Sequence, residues 1–133
     1  MGFSLFGNKD STDSDRSIWE GLRSMDALET LLKNSEARPQ VIFKHSTRCG
    51  ISRHVLRNFE NDWDSKESTE VYLLDLLAYR EISNAIESRF GVVHQSPQVV
   101  VLYEGKPIFH ASHQSIDAHE IGQHIKAMVN GSR

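Results

Sequence analysis

Apolar residues along this chain fall into short, dense runs, and these runs predict the strands of a sheet. Each run is rich in β-branched residues and is bounded by polar or turn residues, as buried strands are. Glu104 and Gly105 separate the last two runs, so those two strands are expected to form a hairpin. The four predicted strands cover residues 40–44, 71–76, 98–103 and 106–110.

Between the runs, apolar residues recur every three or four positions, which is the spacing of an amphipathic helix. The first such stretch follows Ser24, a suitable N-cap, and ends before Pro39. Gly91 is expected to stop the third stretch, and Asn130 with Gly131 the last. The later predicted helices cover residues 50–62, 82–90 and 116–128.

The order of these elements is β-α-β-α-β-β-α with an extra N-terminal helix, and it predicts an α/β domain. A helix crosses between the first two strands, so they must be parallel, and the hairpin adds antiparallel strands. The result is a mixed four-stranded sheet with helices on both faces. Residues 7–16 are polar and aperiodic, so we expect residues 1–16 to be a disordered tail, followed by one domain over residues 17–133. Ile18, Trp19 and Leu22 are expected to pack against that domain.

Composition and charge exclude several functional classes. The chain has 133 residues and a formal net charge of -3, which gives no field that would indicate a nucleic-acid partner. It has no apolar run long enough to cross a bilayer, so no membrane partner is expected. Residues 1–15 lack the basic start and apolar stretch of a signal peptide, so a cytoplasmic location is expected.

The chain has one cysteine, Cys49, which lies where the first predicted strand gives way to its helix. A single thiol excludes an internal disulfide and offers too few thiolates for a structural zinc site. A helix N-terminus carries unpaired N–H groups and partial positive charge, which favour a thiolate over a thiol. Basic residues nearby in the sequence add positive potential: Lys44, His45, Arg48, Arg53 and His54. Taken alone, such a cysteine is as easily a core residue as a nucleophile.

Ser52 follows Cys49 by about one helical turn, so its hydroxyl is a candidate hydrogen-bond donor to the sulfur. Serine cannot resolve a mixed disulfide as a second cysteine would. Cys49 would therefore attack a disulfide, stay joined to the released group, and need an external thiol to finish. The simpler interpretation of Ser52 is a residue that starts the helix.

Pro97 strengthens the case for a reactive Cys49. It follows Ser96 just before the third strand, where a cis X-Pro bond is plausible although most such bonds are trans. The predicted topology brings the loop before this strand beside the start of the first crossover helix. Cysteine at that junction and proline before the third strand together form the thioredoxin pattern.

The sequence resembles the YtxJ-like monothiol bacilliredoxins, a family of the thioredoxin-like superfamily. The segments that carry the resemblance are FKHSTRCGIS (residues 43–52), FGV (90–92), SPQV (96–99), GK (105–106) and ASH (111–113). The resemblance implies a thiol-disulfide oxidoreductase that takes bacillithiol from bacillithiolated proteins and is regenerated by free bacillithiol. Bacillithiol, a thiol built from cysteine, glucosamine and malate, is then a co-substrate, and no resident cofactor is expected. We expect a monomer.

Carried onto this chain, the resemblance makes Cys49 the nucleophile and Ser52 its catalytic partner. The residues expected to bind the substrate are Thr47, Arg48, Gly50, Ser96 and Pro97. The cationic groups and helix N–H groups around Cys49 would suit the malate carboxylates.

Gly50 departs from the family, which often has proline after the cysteine. The resulting C-G-I-S is close to the C-G-F-S of monothiol glutaredoxins, some of which hold an iron–sulfur cluster between two subunits. A cluster carrier is therefore the second candidate, although SPQV and ASH are not glutaredoxin features. A third is a thioredoxin-like adaptor whose cysteine serves only as a redox mark.

The seven histidines do not form a recognisable metal motif. His119 and His124 do not share a helix face, and no H-E-x-x-H sequence exists. We therefore expect no metal site and assign the histidines to surface or hydrogen-bonding roles. His113 is expected to be a structural hydrogen-bonder, because the end of the predicted hairpin should lie away from Cys49.

Overall fold

A computed structural model describes residues 18–64 and 69–131, so the predicted tail lies outside the described residues. The described residues form five strands: β1 (Glu20–Gly21), β2 (Gln40–His45), β3 (Glu70–Asp75), β4 (Gln98–Tyr103) and β5 (Lys106–Ser112). They also form four α-helices: α1 (Met25–Asn34), α2 (Gly50–Asp62), α3 (Arg80–Phe90) and α4 (Ala118–Gly131). A 3-10 turn, His113–Ser115, precedes α4.

The five strands form one mixed sheet in the order β1-β3-β2-β4-β5. Strand β3 is parallel to β2, whereas β4 is antiparallel to both β2 and β5. The predicted fold class is confirmed, with one strand more than expected. Strand β1 pairs with β3, with Glu20 opposite Tyr72. A strand of two residues is too short to show an alternating pattern in the sequence. Only its pairing with β3 identifies it as a strand.

Helix caps and turn glycines mark several of the predicted ends of helices and strands. The Ser24 hydroxyl accepts the N–H of Ala27 at 3.0 Å, as a helix N-cap does. Gly91 ends α3 with φ 67°, and Gly105 takes φ 78° in the hairpin turn. Helix α1 ends earlier than expected, since the hydroxyl of Ser35 donates to Leu32 O at 2.6 Å and closes the last turn.

Two apolar cores lie on opposite faces of the sheet. The first joins α1 and α3 to the sheet, and its fully buried members include Leu28, Leu31, Ile42, Leu74, Ile86 and Val100. The second joins α2 and α4 to the other face and includes Val41, Phe43, Val55, Phe59, Ile121 and Ile125. This division fits β2, where alternate side chains point to opposite faces.

The segment before α1 packs against the domain, as predicted. Leu22 is fully buried, and the Trp19 ring stacks on Phe59 with centroids 5.5 Å apart. The Trp19 indole N–H also donates to a carboxylate oxygen of Glu60 at 2.6 Å. Within residues 18–64 and 69–131, no helix is both long enough and apolar enough to span a membrane.

Candidate active site

Cys49 is the N-cap residue of α2, the position predicted for it at the start of the first crossover helix. Its backbone N–H donates to Ser46 O at 3.2 Å, and its carbonyl oxygen accepts the Arg53 N–H at 3.1 Å. The side chain is half-buried and makes no capping hydrogen bond. The thiol therefore lies at the helix N-terminus, where free N–H groups and the helix dipole favour negative charge on sulfur.

The peptide bond between Ser96 and Pro97 is cis, as predicted. Lys44 of β2 lies opposite Gln98 of β4 in the antiparallel register. Pro97 precedes Gln98 and therefore lies beyond that pair, next to His45 at the carboxyl end of β2. The loop that carries Cys49 begins at that same end of the strand.

Ser52 is fully buried, and its hydroxyl has two partners among the described residues. It accepts the backbone N–H of Ser46 at 3.1 Å, and it lies 2.8 Å from Nδ1 of His45. The expected hydrogen bond from Ser52 to the Cys49 sulfur is not present. The hydroxyl lies inward from the first turn of α2, where the histidine ring and the Ser46 N–H are nearer partners.

His45 was missed by sequence reasoning except as a nearby cation. Burial lowers the pKa of His45 below its usual value, Asp75 opposes this shift, and Arg53 reinforces it. The ring is therefore neutral near pH 7. The signal that could have found it is the alternation of β2, which places His45 on the face of Val41 and Phe43, beneath α2.

The predicted substrate-binding residues fall into two groups. Thr47, Arg48 and Gly50 are exposed around the start of α2. A Cβ added to Gly50 would meet only an Arg53 nitrogen at 3.8 Å, so packing does not require glycine there. Ser96 lies in the other group, at the cis-proline loop, and its buried Oγ has no hydrogen-bond partner among the described residues.

His113 lies at this site rather than away from it, so the prediction for the hairpin end was wrong. Strand β5 runs two residues further than predicted, and Ser112 pairs with Gln98. The His113 N–H therefore reaches the Pro97 carbonyl oxygen at 3.0 Å. His113 itself is exposed and takes φ 55°, and its 3-10 turn contacts α2. Its hydrogen-bonding role is thus played by its backbone at the cis-proline loop.

Within residues 18–64 and 69–131, no three His, Cys, Asp or Glu side chains are grouped so as to hold a metal ion. His124 is one of the histidines with a hydrogen bond, since its Nε2 lies 3.2 Å from Ile108 O.

The residues around this site match a known protein family. A sequence model for the monothiol bacilliredoxin BrxC family matches residues 20–121, which include Cys49, Ser52 and Pro97. The chain belongs to the monothiol bacilliredoxin BrxC family. The bacilliredoxin match covers the whole sheet and three of the four described helices.

Solved structures agree on the fold. A protein described as a candidate oxidoreductase with a thioredoxin fold is 24% identical, with a TM-score of 0.70 over 80% of this chain and 93% of that one. The thioredoxin of Trypanosoma brucei brucei is 16% identical, with a TM-score of 0.67 over 84% of this chain and 91% of that one. Fasciola hepatica thioredoxin is 19% identical, with a TM-score of 0.64 over 80% of this chain and 96% of that one.

Membership of a bacilliredoxin family and a thioredoxin fold together give this chain a thiol redox function and class it with the thiol-disulfide oxidoreductases. Gly50 is the departure from the proline that this bacilliredoxin family often carries after its cysteine. Proline is well suited to the first position of a helix, and the space around Gly50 is open. The departure therefore changes the conformational freedom of the turn rather than its packing.

Proposed function

We propose that this bacilliredoxin removes bacillithiol from mixed disulfides on other proteins, with Cys49 as the nucleophile. The observation that carries the proposal is a single half-buried thiol at the start of α2, in a chain of the monothiol bacilliredoxin family. With one cysteine in the whole sequence, each half-reaction must use a thiol from outside the chain.

In the first half-reaction, the Cys49 thiolate attacks the bacillithiol sulfur of the mixed disulfide. A new S–S bond joins Cys49 to bacillithiol, the old bond breaks, and the target protein leaves as a thiolate. The helix N-terminus favours the anionic attacking group.

In the second half-reaction, the thiolate of free bacillithiol attacks the bacillithiol sulfur held by Cys49. The products are oxidised bacillithiol and the regenerated Cys49 thiolate, so electrons come from the free thiol. Ser52 occupies the position of a resolving cysteine but has no sulfur, which is why the external thiol is needed.

The proposed substrate contacts use both sides of Cys49. Thr47 and Arg48 are exposed and offer a hydroxyl and a guanidinium to the malate carboxylates. Gly50 contributes a free N–H at the start of α2. Ser96 and Pro97 present the backbone edge of the cis-proline loop, along which an extended target segment would lie.

The test is to incubate a bacillithiolated target protein with this chain and free bacillithiol. Loss of the modification is measured as the change in intact mass of the target. We expect the wild type to remove the modification and Cys49→Ala to have no activity. Because Cys49 is half-buried and belongs to neither apolar core, the variant should keep the far-UV circular dichroism of the wild type. Equal rates for the two proteins would refute the proposal.

A parallel experiment separates this proposal from the cluster carrier. Reconstitution with iron, sulfide and bacillithiol under anaerobic conditions should leave the protein colourless and of unchanged molecular mass. A coloured species of twice the mass, without removal activity, would instead identify a cluster carrier, since a two-iron cluster needs four ligands.

A further inference from the structure

The loop that carries cis-Pro97 joins α3 to β4 and depends on side chains for most of its support. Residues 92–97 form neither helix nor strand. Among the described residues, a single backbone–backbone hydrogen bond holds this loop, from the His113 N–H to the Pro97 carbonyl oxygen. Val92 is buried in the apolar core beneath α1 and α3. Two buried polar side chains, Gln98 and Lys44, contact the two residues that follow Val92.

Gln98 is the first of these two supports. It lies opposite Lys44 in the antiparallel pairing, so both side chains point to the face of the sheet that α1 and α3 cover. Gln98 is 2% exposed, and its Nε2 donates to the Val93 carbonyl oxygen at 2.8 Å. Its Oε1 is buried and has no partner among the described residues. A buried unpartnered oxygen costs free energy of folding, so this side chain is an expensive one for the core alone.

Lys44 is the second support, and it holds the next residue of the loop. Lys44 is fully buried, and its ammonium group lies 3.3 Å from Nδ1 of His94. The Ser83 hydroxyl lies 3.3 Å from the same nitrogen. Burial lowers the pKa of Lys44 to about 8 and the pKa of His94 below its usual value. At pH 7 the lysine is therefore charged and the ring neutral, so the ammonium group donates to Nδ1.

These two contacts restrict where the cis-proline edge can lie. Only Gln95 and Ser96 separate His94 from Pro97, so fixing the Val93 carbonyl and the His94 ring leaves the loop little freedom. The cis peptide bond between Ser96 and Pro97 lies at the edge of the sheet where β2 ends, as does the start of the loop that carries Cys49.

We infer that Gln98 and Lys44 are positioning residues that fix the cis-proline loop and, with it, the backbone edge that docks an extended target segment. The inference rests on the proposed function for the nature of that target. Both residues are buried behind the loop and act through Val93 and His94. Their loss should therefore weaken binding of a polypeptide substrate and leave the reactivity of the thiol unchanged.

The test compares Gln98→Met and Lys44→Met with Gln40→Met as the matched control. Gln40 is also fully buried, and alternation along β2 places it on the same face as Lys44. Its Nε2 donates to the carbonyl oxygens of Arg38 and Pro39 at 3.2 Å, and its Oε1 likewise has no partner among the described residues. Gln40 lies at the other end of β2, so it matches Gln98 in chemistry but not in place.

The first measurement is hydrogen exchange of the His113 N–H, followed by NMR, because this group donates to the Pro97 carbonyl oxygen. We expect exchange about fivefold faster in Gln98→Met and in Lys44→Met, as for loss of one buried hydrogen bond, and the wild-type rate in Gln40→Met. Removing a buried charge should not destabilise the fold, so faster exchange in Lys44→Met would not come from global unfolding. Exchange at the wild-type rate in either loop variant would overturn the inference.

The second measurement is steady-state removal of bacillithiol from two substrates by excess free bacillithiol. One is an unstructured peptide with a single bacillithiolated cysteine, and the other is the mixed disulfide of bacillithiol with free cysteine, which has no backbone to dock. Both loop variants should raise KM for the peptide about fivefold without changing kcat. Their kcat/KM for the cysteine disulfide should equal that of the wild type. An unchanged KM for the peptide, or an equal rise in Gln40→Met, would overturn the inference.

A third measurement shows whether the thiol itself is intact. The second-order rate constant for alkylation of Cys49 by iodoacetamide at pH 7 should be the same in all four proteins, and a decrease in the loop variants would overturn the inference. A wild type that removes bacillithiol from neither substrate would count against the proposed function, and the His113 exchange rates would still decide whether Gln98 and Lys44 hold the loop. Should Gln98→Met fail to fold, Lys44→Met serves in all three measurements.

Discussion

Two serine–histidine pairs lie on opposite faces of the sheet at the carboxyl end of β2, and their surroundings differ. On the α2 face, Ser52 Oγ lies 2.8 Å from His45 Nδ1. On the α3 face, Ser83 Oγ lies 3.3 Å from His94 Nδ1. Burial lowers the pKa of both histidines. The same two side chains therefore occur twice, but only one pair adjoins the helix that begins at Cys49.

The Ser83–His94 pair lies beside a buried lysine, Lys44. Lys44 is fully buried, and its ammonium group lies 3.3 Å from His94 Nδ1 and 3.5 Å from the Ser83 carbonyl oxygen. Burial lowers the pKa of Lys44 to about 8, and Glu87 opposes the shift. The Ser52–His45 pair adjoins the turn that carries Cys49, whereas the Ser83–His94 pair lies against the Lys44 ammonium group. The comparison teaches that position relative to Cys49, rather than residue type, decides what such a pair does.

The largest expected effect tests how firmly the α2 face is held. Phe59 is buried against Trp19, Phe43 and Trp63, with ring centroids 5.2–5.7 Å apart. Phe59→Ala should lower the free energy of unfolding by about 3–5 kcal/mol, measured by urea denaturation, because it leaves a cavity. Thiol reactivity per folded molecule should also fall.

Ile86→Ala, on α3, is the matched control from the other face. It should destabilise by about 2–5 kcal/mol but leave the thiol reactivity of the folded protein unchanged. Equal loss of reactivity in both variants would mean that the two faces are not separable.

Lys44→Met should stabilise the protein by about 2–3 kcal/mol near neutral pH, since the lowered pKa measures how strongly the fold disfavours the charge. Below about pH 8 the folded and unfolded chains both carry the proton, so the full cost of the buried charge applies. Between about pH 8 and 10.5 only the unfolded chain keeps it, so wild-type stability rises with pH. The stability advantage of the variant should shrink across this window.

Lys33→Met, at an exposed position of α1, should show no such pH dependence. Identical curves of unfolding free energy against pH for the two variants would contradict the account.

Buried His45 and half-buried His94 should make the protein less stable in acid. Because burial lowers their pKa, the unfolded chain binds protons more readily than the folded chain once the pH falls below the ordinary histidine value of about 6.5. Unfolding free energy should therefore decrease as pH drops through this range. His94→Asn should reduce that slope, whereas His110→Asn, at an exposed position, should not. If the unfolding free energy of His94→Asn has the same slope against pH as that of the wild type, His94 does not contribute to the acid sensitivity.

The smallest expected effect is on thiol reactivity in His94→Asn. The His94 ring lies on the face away from α2, near Lys44. Its substitution should leave the iodoacetamide rate constant at pH 7 unchanged within error. A decrease would mean that the Ser83–His94 pair also affects Cys49 and would remove the contrast between the two pairs.

Much of the fold could be predicted because strands and helices leave a local pattern. The spacing of Ile51, Val55 and Phe59 predicts the limits of α2. Because the helix begins at Gly50, Cys49 lies at its N-cap. Strand β1 left no pattern, since Glu20–Gly21 become a strand only when β3 lies beside them.

The site was predictable in position but not in contacts. A cysteine after β2 and a proline before β4 lie at the same edge of the sheet because the antiparallel pairing of β2 with β4 requires it. The partners of Ser52 depend on which way His45 points and how deeply the first turn of α2 is buried, and neither is a local property. The approach of His113 to Pro97 depends on how far β5 continues, which pairing with β4 decides.

The most direct test of the central claim is the intact mass of the protein after exposure to oxidised bacillithiol. Oxidised glutathione and oxidised coenzyme A serve as parallel reagents. The account predicts one bacillithiol moiety per chain, mapped by peptide analysis to Cys49, removed by free bacillithiol and formed more slowly with the other two reagents. An unmodified chain would contradict it.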